Sequence, residues 1–127
     1  MSQNKPIILL DPYPRTMDLL FSKENLKYLK NNFKLITAPN KNKHNFYEKN
    51  LPKVDYIFGQ PNLPSSLISK STKLKAIFNV ESNFMDNMDY DYCFRKGIHV
   101  LATSPVFAQP VAEMAMGLTL SIARSIH

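Results

Sequence analysis

At 127 residues, 44% hydrophobic and 20% charged, the chain carries enough apolar material for one core and too much for intrinsic disorder. Sixteen Lys and Arg against ten Asp and Glu give a net charge of +6, yet only Arg15, Arg95 and Arg124 could supply the guanidinium forks that read bases. A Lys- and Asn-rich composition with eight lysines between Lys23 and Lys53 reads as a solvated face and predicts no nucleic-acid partner.

No unbroken apolar run approaches the ~20 residues of a bilayer span, which predicts no membrane partner. The first run, Pro6 to Leu10, ends at Asp11 and lacks the length and cleavage site of a signal peptide, so a cytoplasmic location is expected. The single Cys93 cannot form an internal disulfide and reads as a small buried apolar residue.

In chain order, Pro6 to Leu10 reads as a strand buried on both faces. Asp18 to Asn31 mixes Leu and Lys at helical spacing, with Asp18 or Ser22 as possible caps. Phe33 to Thr37 is a second strand, and the polar stretch Pro39 to Lys53 reads as a loop with at most one helical turn. Val54 to Phe58 is a third strand, closed by Gly59. A short helix follows over Leu63 to Ser71, then a fourth strand over Leu74 to Asn79. Asp89 to Lys96 is helical, with Gly97 where a C-terminal cap needs positive φ. Ile98 to Leu101 is a fifth strand. Ser104 to Gln109 reads as a loop, and Val111 to Ile126 as a long helix, apolar nearly all round and so expected to be buried between surfaces.

Strands alternating with helices imply an α/β fold, a doubly wound parallel sheet in the flavodoxin-like order 2-1-3-4-5. Ligands bind such sheets outside the carboxyl ends of the strands. The loops to watch are therefore Asp11 to Thr16, Gly59 to Asn62, Asn79 to Asp86 and Thr103 to Gln109. The residues themselves offer no familiar catalytic set. His44, His99 and His127 have no metal-ligand spacing. Three glycines, Gly59, Gly97 and Gly117, cannot build a phosphate-binding loop. A phosphoacceptor receiver is rejected because Asp55 begins the third strand rather than ending it.

The carboxyl half is more specific. Leu74-Lys75-Ala76-Ile77, Asp86-Asn87-Met88-Asp89, Arg95-Lys96-Gly97-Ile98-His99-Val100, Pro105, Val111-Ala112-Glu113 and Ile122-Ala123-Arg124-Ser125-Ile126 follow in fixed order. This succession resembles the amino-terminal substrate-binding ("catalytic") domain of the D-isomer-specific 2-hydroxyacid dehydrogenases, over Leu74 to Ile126. The resemblance implies residues 1–107 as a flavodoxin-like substrate-binding domain and 108–127 as a hinge or interface helix, with the nucleotide-binding domain absent.

By the same resemblance, the turn Asn79-Val80-Glu81-Ser82-Asn83 is where a substrate carboxylate would meet backbone N–H groups. This sequence has no Gly-Val-Gly there. Phe107, Ala108 and Val111 would face the cofactor, with Met114 where relatives carry His. The family's catalytic Arg, Glu and His lie on the second domain, so no catalytic residue is expected here. NAD or NADP is implied for the complete enzyme and none for this chain alone. The implied partners are a small 2-hydroxy or 2-oxo acid, and either a second copy or the missing nucleotide domain against the last helix. The alternative is a non-enzymatic, stand-alone binding or interaction module with a flavodoxin-like fold.

Overall fold

The computed structural model describes residues 5–81 and 83–126. Five strands form one parallel sheet in the order β2-β1-β3-β4-β5, as expected. The strands are β1 (Ile7–Asp11), β2 (Lys34–Thr37), β3 (Tyr56–Gly59), β4 (Ala76–Phe78) and β5 (His99–Leu101). Leu9, Ile57 and Ile77 sit side by side across the central strands. With Leu51, Val54, Leu63, Ile68 and Cys93 they form the buried core on one face of the sheet. Helices α3 (Lys43–Asn50), α4 (Ser65–Ile68) and α5 (Tyr90–Arg95) supply the cover on that side.

Three expectations need correction. Pro39 to Lys53 is mostly helical, as α3 followed by a 3₁₀ turn at Leu51–Lys53. The helix lacks an amphipathic stripe, and tertiary contacts hold it instead: Tyr47 and Leu51 are fully buried, and the Tyr47 hydroxyl donates to the Asp11 carboxylate. Asp18 to Asn31 is not one helix but two, α1 (Met17–Leu20) and α2 (Lys23–Asn32). The chain breaks at Phe21, whose ring packs on Phe58 with centroids 4.9 Å apart. Ser22 then restarts it by accepting a hydrogen bond from the Asn25 N–H at 3.2 Å.

The third concerns Ser104 to Gln109, which is helix rather than loop. It forms the first turns of α6 (Ser104–Ala123), where Pro105 costs nothing because first-turn N–H groups have no helical acceptor. Pro110 lies inside the helix, so the Val106 carbonyl loses its usual helical donor. α6 is 20 residues long with mean hydropathy 1.3, long and apolar enough to cross a membrane by length and composition alone. Counting unbroken apolar runs missed it, because Gln109 and Glu113 interrupt the run. The helix does not fold back on the sheet. Every residue from Ser104 to Leu120 is exposed, so the expected burial between surfaces is not supplied by this domain.

The second face of the sheet is only half covered. Phe21, Leu29 and Phe33 close over Ile8, Leu10, Tyr56 and Phe58, leaving an apolar cavity of about 380 Å³. Beyond them Phe78 is 38% exposed and Leu101 48%. Cys93 is buried, as expected, and Gly97 adopts φ +72° at the end of α5.

Candidate functional site

The carboxyl ends of β1, β3 and β4 converge on one region, and each contributes a particular side chain. β1 ends at Asp11, 4% exposed. A turn closed by the Arg15 N–H donating to the Pro12 carbonyl at 2.8 Å then swings Arg15 across the sheet edge. Its guanidinium pairs with Glu81 of the turn after β4, Nε to Oε1 at 3.0 Å and Nη2 to Oε2 at 3.3 Å. The carboxylate's hydrogen bond and charge push the Arg15 pKa up, which holds the guanidinium in its charged form.

β3 ends at Gly59, where φ is +140° and a Cβ would lie 2.0 Å from the Asp11 carbonyl oxygen. Only glycine lets the two strand ends approach so closely. The next residue, Gln60, ties this loop to the β4–α5 turn. Its Oε1 accepts from the Glu81 N–H at 2.9 Å, and its Nε2 donates to the Asn83 carbonyl at 3.1 Å. Further along, the Asn87 side chain donates to the Pro61 carbonyl at 2.8 Å. Tyr90 anchors the same loop through its hydroxyl, which donates to Asn87 Oδ1 and accepts from the Met85 N–H.

These contacts frame a cleft of about 540 Å³ lined by Arg15, Leu19, Leu20, Val80, Glu81, Thr103, Phe107 and Val111. Apart from the Arg15–Glu81 pair and the Thr103 hydroxyl its walls are hydrocarbon. Such a site can hold a small molecule with one polar end and one apolar end. A second cavity, about 380 Å³, lies around Asp11, Tyr13, Lys43, Tyr47 and Gln60. There Lys43 Nζ donates to both Asp11 oxygens at 2.7 and 2.9 Å. The buried carboxylate is fully engaged by Lys43 and Tyr47, which suits a fixed structural polar group.

Of the residues singled out from sequence, Val80, Glu81, Phe107 and Val111 meet in the one cleft. Asn79 is 3% exposed. Its N–H donates to the Leu101 carbonyl, while its side-chain amide has no partner among the described residues. Asn83 is exposed, with its carbonyl taken by Gln60. Ala108 is exposed on α6 and does not line the cleft. Ser82 and His127 lie outside the described residues. Sequence reasoning flagged the loops that carry Arg15 and Gln60 but not the residues themselves. No group of three metal-ligating side chains occurs among the described residues.

No protein-family model matches the chain, and no curated protein matches it. Solved structures do. A phosphoglycerate oxidoreductase from Rhizobium etli superposes with a TM-score of 0.77 and 38% identity, covering 96% of this chain and 38% of that one. A 2-hydroxyacid dehydrogenase from Ketogulonicigenium vulgare gives 0.66 and 23%, covering 98% and 37%. An NADPH-dependent glyoxylate/hydroxypyruvate reductase from Sinorhizobium meliloti gives 0.65 and 22%, covering 94% and 35%. The last two speak for the fold alone. The chain thus spans under two fifths of the length of these solved proteins.

Proposed function

Because the chain belongs to the D-isomer-specific 2-hydroxyacid dehydrogenase family, we propose that it is the substrate-binding domain of an NAD(P)-dependent enzyme acting on a small 2-hydroxy acid in the cytoplasm. In this reading residues 1–107 bind substrate and 108–127 form the hinge. The observation that carries it is the cleft at the carboxyl edge of the sheet. There Val80 and Glu81, from the turn after β4, face Phe107 and Val111 at the start of α6. That is where open α/β sheets bind ligands, and it is where the acid end and the nicotinamide end of the reactants would meet.

The chain's own residues fit only the edge of a dinucleotide. Phe107 and Val111 offer an apolar wall against which a nicotinamide ring could lie, and Ala108, which lies outside the cleft, adds nothing to it. Nothing among the described residues resembles a pyrophosphate cradle, because the space beside Gly59 is filled by the Asp11 carbonyl. We therefore assign the pyrophosphate, the hydride donor and the acid/base to a second domain. This chain is assigned acid binding, orientation and one wall of the cleft. α6 would be covered by that second domain or by a second copy of the chain.

Titrating the 127-residue chain with NADH tests the assignment. Protein fluorescence should show no saturable quenching, and no 2-hydroxy acid should be oxidised when NAD or NADP is added. Saturable quenching, or turnover by this chain alone, would refute the division of labour.

A further inference from the structure

The charge arrangement in the cleft narrows the acid it can accept, an argument that rests on the acid-binding reading above. In a nest, backbone N–H groups hold an anion. Here two of the turn's amides are already committed, Asn79 N–H to the Leu101 carbonyl and Glu81 N–H to Gln60 Oε1. Among the described residues, the only cation lining the cleft is Arg15. Its Nε and Nη2 donate to Glu81, and Nη1 makes no bond to a described residue. A planar guanidinium presents five N–H donors, so Arg15 can take a second carboxylate on its outer edge without releasing Glu81. The pair is half-exposed, at 52% and 29% of the side chains, and an incoming acid can reach it from solvent.

From this we infer that the cleft selects monocarboxylates with a hydrocarbon tail, that Arg15 is the residue that binds the acid group, and that Glu81 rejects a second negative charge. The tail would lie against Leu19, Leu20, Val80, Phe107 and Val111, which line the same space. One added carboxylate shares the Arg15 guanidinium with Glu81, held by the donors Glu81 leaves free. A second carboxylate or a phosphate on the same small ligand must share the cleft with Glu81 and finds no other cation lining it. In the partly hydrated dielectric of a cleft edge, one such like-charge contact lowers affinity about tenfold.

The test is binding to the full chain at low ionic strength, followed by NMR at the Arg15 Nε–H and the Leu20 and Val80 methyls. The probes are 2-hydroxyisocaproate, malate and phosphoglycerate. The monocarboxylate should bind about tenfold more tightly than either polyanion. Glu81→Gln should bring the three within about twofold, and Arg15→Gln should abolish binding of all three. Both side chains are on the surface, and unchanged amide shifts in the sheet would verify that each variant is folded. Equal affinities in the parent chain, a preference unaltered by Glu81→Gln, or undiminished binding by Arg15→Gln would each overturn the inference while leaving the cleft an acid site. If no acid shifts these signals in the parent or in Glu81→Gln, the acid-site reading falls and the inference with it.

Discussion

Replacing Gly59 by Ala should damage the fold at the point where it holds the site. The added Cβ would sit 2.0 Å from the Asp11 carbonyl oxygen and 2.5 Å from the carbonyl carbon, both backbone atoms with no rotamer to yield. Strand β1 or β3 must therefore move by more than an ångström at the rung that pairs Asp11 with Gly59. A side chain at φ +140° also carries about 1–3 kcal/mol of backbone strain. Losing the last rung adds roughly another 1 kcal/mol. Together these remove about 2–4 kcal/mol from a domain whose whole stability is on the order of 5–15 kcal/mol. For a chain of this length the melting temperature should fall by about 7–15 °C, read by circular dichroism.

Gly97→Ala is the control. It also has positive φ, +72°, but nothing lies within 4 Å of the added carbon, so only conformational strain of about 1 kcal/mol is expected. If Gly59→Ala melts within about 3 °C of the parent, or if the two variants lose equal stability, the close-approach argument fails.

Two further outcomes follow from the same geometry. Burial first, and then the bond to Asp11, push the Tyr47 phenol well above its ordinary value of 10.0. The unfolded chain therefore releases this proton before the folded one does, and the stabilisation is complete below about pH 10 and lost as pH rises beyond it. Chemical denaturation at alkaline pH should show that decline, and Tyr47→Phe should flatten it; an unchanged slope in the variant would assign it to other groups. The chain should self-associate through its exposed apolar helix, and Met116→Glu with Leu120→Glu, both on that helix, should leave a monomer with an unchanged sheet. Sedimentation of an unmodified chain that is already monomeric at high concentration would sink that expectation.

Strand order and the positive φ of Gly97 were legible because each depends on local pattern: continuous apolar runs, and a Gly after a helix. Ser22 was only one of two caps offered for a single helix, and the break at Phe21 was not legible because it depends on the packing of that ring on Phe58. α3 was not legible. In Lys43–Asn50 the apolar residues Phe46 and Tyr47 are adjacent, so no periodicity marks a helix, and Tyr47 is held by a partner 36 residues away. The candidate site divides the same way. Val80, Glu81, Phe107 and Val111 could be anticipated from the motif order. Arg15 could not, because its role comes from a salt bridge spanning 66 residues. A helix of hydrocarbon character was anticipated too, but burial belongs to the surroundings of a segment as much as to its composition, and α6 stands clear of its own sheet.

The proline inside α6 gives the cleft a joint. Phe107 and Val111 are one turn apart on the same wall, and Pro110 sits between them. At that point the backbone lacks one rung of its hydrogen-bond ladder. Phe107 stays with the segment that leaves β5, whereas Val111 travels with the projecting arm. From Pro110 to Ala123 that arm reaches about 20 Å, and a kink of about 20° at the proline would carry its tip some 7 Å. Such a kink would have a short end as well as a long one, because it would change the spacing of the two side chains that wall the cleft. A partner that bent the helix at Pro110 would alter the mouth of the cleft without touching it.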